Sequence, residues 1–242
     1  MKSLQYYKNY ITLRLIKTFV QRFPFLFRRI QLSRYKGTEN VNQIVGPNSD
    51  VVIEGYPRSA NSFAIRAFML SNGMDSVIAT HLHVYTHIAL GIHYKIPTLC
   101  LIRHPKDCVL SYAALKSRMA PIEEFKEKYN MLWLIKEYVF FYKNLKRYEG
   151  KFLMATFKEV TTDFGAVIKS LNEFSGSDFV PFEHNEKNVE AVFNFHDATT
   201  YLGPNQKRED VKASYQSELN PLMRTKAYKE ALELYEYWAK ND

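Results

Sequence analysis

Val51-Val52-Ile53-Glu54-Gly55-Tyr56-Pro57-Arg58-Ser59-Ala60-Asn61-Ser62 is the stretch on which the fold turns. Val51 to Glu54 reads as a short buried strand, and the apolar spacing from about Asn61 to Ser71 reads as a helix. The residues between them must form a tight strand-to-helix turn. In length and ends, Gly55 to Ser62 matches the phosphate loop G-x-x-x-x-G-K-[ST], but Ala60 stands for the second glycine and Asn61 for the lysine. That lysine would hold the β and γ phosphates of a nucleoside triphosphate. A metal-binding aspartate is also expected at the end of a neighbouring strand, and Arg103 occupies that place. A magnesium-dependent kinase or ATPase is therefore disfavoured. What remains is a helix N-terminus whose N–H groups can cradle a phosphate without metal. Arg58, inside the loop, offers a planar fork of donors to the same anion. A purely structural turn would also account for the Pro, Ser and Asn.

Working outward, the same alternation repeats. Asp75 to Thr80, Thr98 to Ile102 and Phe152 to Thr156 read as further strands. Helices are expected near Val84 to Gly91, Pro105 to Ser117, Ile122 to Tyr148 (closed by Gly150), Thr162 to Phe174 and Pro221 to Lys240. Ser175 to Lys212 reads as irregular. Alternating strands and helices predict an α/β domain of three layers, α/β/α, around a parallel sheet with right-handed crossovers. Ligands bind at the carboxyl ends of strands in such sheets, here just after Glu54, Ile78, Ile102 and Ala155. At 242 residues, 46% of them hydrophobic and 15% aromatic, the chain suits one large domain over residues 37–242.

Arg103-His104-Pro105-Lys106-Asp107-Cys108-Val109-Leu110-Ser111 supplies a second signal. Arg103 ends a buried strand, and Ser111 lies two turns into the next helix. A guanidinium and a hydroxyl can thus be aimed at one phosphate beyond the strand end. The bland alternative is a local ion pair between Arg103 and Asp107. Thr80-His81-Leu82 and Phe157-Lys158-Glu159-Val160 follow two other strands.

In this order, the segments resemble the sulfotransferases that use 3'-phosphoadenosine 5'-phosphosulfate (PAPS). Tyr56 to Phe63 is similar to their 5'-phosphosulfate loop, and Arg103 to Ser111 to their 3'-phosphate motif, with the same eight-residue offset. Thr80-His81-Leu82 is similar to the segment carrying their catalytic histidine, and Phe157 to Val160 to a segment near the adenine. The likeness runs from about residue 50 to 175. It implies a P-loop NTPase-like sulfotransferase fold and transfer of a sulfonate to an acceptor hydroxyl or amine, in line, with no metal. It also implies roles. Arg58, Ser59, Ala60, Asn61, Ser62 and Phe63 would hold the phosphosulfate. Arg103 and Ser111, with Lys207 and Arg208, would hold the 3'-phosphate, and Phe157 would lie at the adenine. His81 would be the general base, and Arg58 would neutralise charge on the leaving oxygen.

The chain departs from the family at several of these places. Arg58 stands for a usual Lys, Ala60 for a Gly, and Asn61 and Ser62 for Thr. Phe63 stands for a Trp, and Ala79 for a Lys. Asn61 is expected to tolerate the unusual backbone angles that the missing glycine would have supplied. The family's glycine-rich basic C-terminal motif has only Gly203 to Arg208 as a counterpart. Arg58 and Ala79 keep a second reading open, a nucleotide-binding scaffold without turnover.

Charge adds a third. Residues 1–36 hold nine basic side chains and no acid; the remaining 24 basic residues face 25 acids. The basic character belongs to an N-terminal arm, so nucleic-acid binding by the domain is not expected. Tyr6, Tyr10, Leu13, Ile16, Phe19, Val20 and Phe23 recur at helical spacing in it. Such a helix either packs on its own domain or lies on an anionic membrane as a peripheral module. No secretory signal or membrane span is read, and with two cysteines, Cys100 and Cys108, a cytoplasmic setting is expected, at the membrane's cytoplasmic face if the arm binds lipid. His81, His83 and His87 can also be read as a metal cluster, but no fourth ligand is evident. Aromatic residues near the site suit a phenolic, glycan or lipid-like acceptor, whose identity stays open.

Overall fold

The computed structural model describes residues 18–117, 131–194 and 206–239; the side chains of residues 116–117 and 206–208 lie outside that description. Four strands carry the fold: β1 (Val51–Gly55), β2 (Ile78–Ala79), β3 (Thr98–Ile102) and β4 (Leu153–Thr156). They pair in parallel in the order β2-β1-β3-β4, with Val51 opposite Ile78, Ile53 opposite Leu99, and Leu101 opposite Ala155. Every residue of β1 and β3 is buried, because helices cover both faces of the sheet. Alternation along each strand assigns the faces. Val52, Cys100 and Ile102 enter one core with Leu134, Tyr138, Tyr142, Tyr215 and Trp238. Val51, Ile53, Leu99 and Leu101 enter the other, with Phe63, Phe68, Phe164 and Ile168. The three layers expected of the sequence are present.

The helices are α1 (Pro24–Tyr35), α2 (Asn61–Asn72), α3 (Tyr85–Tyr94), α4 (Pro105–Ser117), α5 (Met131–Leu145), α6 (Phe157–Thr162), α7 (Phe164–Ser175), α8 (Glu186–Phe193), α9 (Gln206–Leu222) and α10 (Lys226–Ala239). α3, α4, α5, α9 and α10 line the first core, and α2, α6, α7 and α8 the second.

Several sequence expectations change. The strand expected over 75–80 contracts to two residues. The long aromatic helix is described from Met131 and ends in a 3-10 turn at Lys146–Tyr148, before Gly150 at φ +71°. The helix expected over 162–174 divides at Asp163. Thr156 caps α6 through a box with Glu159, and Asp163 then caps α7 through the Ala166 amide at 3.0 Å. The stretch read as irregular contains α8, capped by Asn185, and the start of α9. α9 escaped the pattern because its sequence is mostly polar; Tyr215 and Leu219 anchor it in the core, with Val211 and Leu222 packed against them.

The N-terminal arm is described from residue 18. From Gln21 onward it packs on the α/β body. The Gln21 carbonyl accepts from Tyr85 Oη and Thr86 Oγ1 at 2.8 and 3.0 Å, Phe27 is buried, and Arg28 Nε donates to the Val45 carbonyl at 2.8 Å.

Candidate active site

The sheet order reverses at β1: the chain moves from β1 to β2 on one side and then crosses back to β3 on the other. The segments leaving β1 and β3 therefore diverge to opposite faces, into α2 and α4, and open a crevice beyond the strand ends. At its floor, Gly55 lies so close to β3 that a Cβ there would sit 2.5 Å from the Leu101 carbonyl oxygen. No larger residue fits.

The loop that follows is strained. Arg58 and Ala60 have φ of +76° and +73°, left-handed values that cost a non-glycine residue about 1–2 kcal/mol. Ala60 thus carries the backbone angle that the sequence reading assigned to Asn61, which is already the first residue of α2. The Asn61 side chain turns inward, donating from Nδ2 to the Tyr56 carbonyl at 3.2 Å; its buried Oδ1 has no hydrogen-bond partner among the described residues. The first bond of α2 joins the Ala64 amide to the Ala60 carbonyl, so the amides of Asn61, Ser62 and Phe63 precede it and face the crevice end of the helix. The Ser59 side chain is fully buried, 3.4 Å from Tyr142 Oη and 3.8 Å from Cys108 Sγ, and its amide bonds back to Tyr56.

α5 and α4 brace the loop from below. Tyr142 Oη donates to the Leu101 carbonyl at 2.7 Å and accepts from the Tyr56 amide at 3.3 Å. Cys108 Sγ donates to the Pro57 carbonyl at 3.0 Å. Burial pushes the Cys108 thiol up to about 12 and the Cys100 thiol and Tyr142 phenol well above their usual values. All three stay protonated and serve as fixed donors or core.

The two basic signals of the sequence come together. Arg58 Nε donates to Ser111 Oγ at 3.0 Å, and Arg103 Nη1 donates to the Arg58 carbonyl at 3.2 Å. The Arg103 guanidinium lies 3.9 Å from the centre of the Phe157 ring, and Tyr138 Oη donates to the Arg103 carbonyl at 2.9 Å. No ion pair between Arg103 and Asp107 forms among the described residues. Lys207 and Arg208 lie in the first turn of α9, outside the described side chains. Phe63 is buried, its ring packed against Phe182, His184 and Phe193, so it presents a core face rather than an open one.

A group that the sequence reading missed lies on the other side of the crevice. Glu54 is completely buried at the end of β1. Its carboxylate accepts from the amides of Gly55, Leu82 and His83, each at 3.1 Å, and from His87 Nδ1 at 3.1 Å. Burial would raise its pKa; the hydrogen bonds from His83 and His87 outweigh that and hold the carboxyl well below the usual carboxylate range. The Val45 amide donates to His87 Nε2 at 3.1 Å, so His87 is neutral and carries its proton on Nδ1. With both nitrogens committed, His87 is no metal ligand, and the three-histidine cluster dissolves. His83 Nδ1 lies 2.8 Å from the Gly55 carbonyl and 3.4 Å from Glu54 Oε1, which puts its proton on Nδ1 and leaves Nε2 as the open acceptor. The signal in the sequence was a lone acid closing an apolar strand.

His81 and His83 both hold left-handed backbone, at φ +61° and +51°, with ring centroids 5.9 Å apart. His81 is exposed, and no hydrogen bond fixes its ring among the described residues. Desolvation by the surrounding protein, with the Arg66 charge and against the pull of the Glu54 carboxylate, lowers its pKa to about 4; water reaches the ring and moderates the first of these.

No family model matches the chain, and no curated protein matches it. Among solved structures, it is similar to mouse sulfotransferase SULT7A1 complexed with PAP. The two share 11% identity at a TM-score of 0.40, over 82% of this chain and 92% of that one. A likeness of that degree assigns no residue a role.

Proposed function

We propose that this chain is a sulfotransferase, moving a sulfonate group from PAPS to a hydroxyl or amine of an acceptor. The observation that carries the reading is the joining of two separate basic motifs at one crevice, Arg58 to Ser111 at 3.0 Å and Arg103 to the Arg58 carbonyl at 3.2 Å, over the open end of α2. Backbone amides, two guanidiniums and a hydroxyl suit a ligand with two separated phosphate groups.

The residues fit the nucleotide. The amides of Asn61, Ser62 and Phe63 would hold the 5' group, and Arg103 and Ser111 the 3'-phosphate, with the Arg103 guanidinium over the Phe157 ring. Bound PAPS supplies the sulfonate, whose S–O bond to the phosphate breaks as the acceptor oxygen bonds to sulfur. Arg58 would neutralise the negative charge that then grows on the phosphate oxygen. Arg58 shares the Ser111 hydroxyl, so an anion taken up by Ser111 draws on the group that positions Arg58. The proton of the acceptor needs a base at the crevice mouth. His81 holds the motif position; His83 has the orienting partners that a general base requires, the Gly55 carbonyl on Nδ1 and the Glu54 carboxylate behind it. Glu54 is a positioning residue for that turn.

The test is calorimetric binding of adenosine 3',5'-bisphosphate without metal, against ATP with magnesium, for the wild type and Arg103→Ala. Tight bisphosphate binding that weakens about tenfold or more in the variant is expected, the loss of a charged hydrogen-bonding group. No bisphosphate binding, or preference for ATP with magnesium, overturns the reading.

A further inference from the structure

The outward side of α1 carries large apolar side chains that the α/β body leaves uncovered. Phe19, Phe23, Leu26 and Ile30 are 58%, 48%, 48% and 42% exposed. Phe19 and Phe23 touch, with ring centroids 5.5 Å apart. The Phe27 amide bonds to the Phe23 carbonyl, so Phe23 enters the helix as its cap. Phe23, Leu26 and Ile30 then follow at steps of three and four residues and share one flank of α1. An amphipathic helix serving only its own domain would turn such residues inward. Here the inward side is already formed, by Gln21, Phe27 and Arg28.

The charge around the flank is of one sign. Arg22, Arg29, Arg34 and Lys36 are all exposed within or beside it, and the first acid of the chain is Glu39. Apolar side chains on a segment that bears exposed cations and no acid of its own match the interface of an anionic bilayer. There aromatic and branched side chains enter the headgroup boundary while arginines meet lipid phosphates. A second copy of this chain would have to set the same arginines against one another, and the cost of that like-charge contact argues against it. Whole-domain charge does not produce this feature, since the chain beyond residue 36 has 24 basic residues against 25 acids.

We propose that α1 and the turn before it dock this protein on an anionic phospholipid surface, Phe19, Phe23, Leu26 and Ile30 entering the interface and Arg22, Arg29 and Arg34 binding headgroups. Docking would not be loose. Arg28 Nε holds the Val45 carbonyl, the Val45 amide holds His87 Nε2, His87 Nδ1 holds Glu54, and Glu54 holds the amides of Leu82 and His83. An unbroken chain of hydrogen bonds thus fixes the crevice relative to the lipid-facing flank. The inference stands apart from the proposed chemistry, because no residue of the flank belongs to the nucleotide site.

The full chain is sedimented with phosphatidylcholine vesicles, with and without phosphatidylserine. Comparison proteins are Phe23→Ser/Leu26→Ser/Ile30→Ser and Arg22→Gln/Arg29→Gln/Arg34→Gln, neither of which touches Gln21, Phe27 or Arg28. Binding should require phosphatidylserine and fall with salt. Each arginine removed should weaken it about fivefold, and the serine protein should stay in the supernatant. Both variants should bind adenosine 3',5'-bisphosphate as the wild type does, which separates failure of docking from failure of the nucleotide reading. The proposal is overturned if the wild type stays in the supernatant with phosphatidylserine, or if the variants bind equally well. It is also overturned if the apolar flank proves to be covered in the full chain, by residues 1–17 or by a concentration-dependent dimer that the serine substitutions abolish.

Discussion

Arg58, Ala60, His81 and His83 all hold left-handed backbone, and all four stand in the two segments that meet at the ends of β1 and β2. Residues kept in such conformations persist only where their surroundings over-determine them. For Arg58, the surroundings are Ser111 and Arg103; for the histidines, the carboxylate of Glu54 accepting two consecutive amides. His81 gives the most direct measurement at this scale. Its pKa is lowered from 6.5 to about 4, so it is neutral at pH 7, and its neutral form is favoured by folding. The sign follows: this residue's contribution to stability is intact above about 6.5 and is lost as pH falls toward 4. A proton NMR titration, with the His81 signals assigned from His81→Gln, should give a midpoint well below the ordinary imidazole value. A midpoint at the ordinary imidazole value would mean that neither the surrounding protein nor its charged neighbours act on the ring as described.

Elements, not single side chains, set the shape of the loop. α5 crosses beneath it and offers one phenol, Tyr142, to three groups: the Leu101 carbonyl on β3, the Tyr56 amide at the start of the loop, and the Ser59 hydroxyl within it. Tyr142→Phe keeps the ring and removes the oxygen, leaving a buried carbonyl and a buried amide unpaired. The expected cost is about 1–3 kcal/mol for the unsatisfied groups, read as a lower urea midpoint. Because the loop loses its brace, bisphosphate affinity should fall in the same protein, although Tyr142 does not face the crevice. A variant with reduced stability and unchanged affinity would show that the loop holds its shape without α5.

Across the whole molecule, Glu54 joins parts far apart in the chain. Its carboxylate meets β1, the turn after β2, and α3 through His87, which in turn holds Val45 beside the N-terminal helix. Glu54→Gln replaces one oxygen with an N–H₂ group that must face donors already present. Losing a buried charged acceptor that several donors share costs about 1.5–3 kcal/mol, and unfolding in urea at pH 7 should show it. The pH dependence has a definite sign. The Glu54 carboxyl is held below its unfolded value of about 4.3, so its stabilisation is fully present above that value and is lost as pH falls below it. The difference between the wild type and Glu54→Gln should therefore be constant near neutrality and shrink in acid. A difference that persists unchanged below the carboxylate range would mean that packing, not charge, accounts for it.

The sequence by itself determined the alternation of strands and helices, the three layers, and the tight turn from β1 into α2 at a strand end. These follow from apolar runs, spacing and a few turn residues, which act locally. It also marked Arg58, His81, Arg103 and Ser111, whose types and offsets are visible without a structure. Only the tertiary structure decided which face each residue presents. Ser59 and Asn61 turn inward, Phe63 is walled in by Phe182, His184 and Phe193, and Ala60 rather than Asn61 takes the strained angle. Glu54 and His83 emerged as a pair only when β1 and the turn after β2 were side by side, 28 or 29 residues apart in the chain. The same holds for the uncovered flank of α1, since periodicity shows that a helix has two sides but not which of them the body occupies. Local propensity and spacing are carried by neighbours along the chain; burial, pairing and pKa depend on neighbours in space, which the folded sheet brings together.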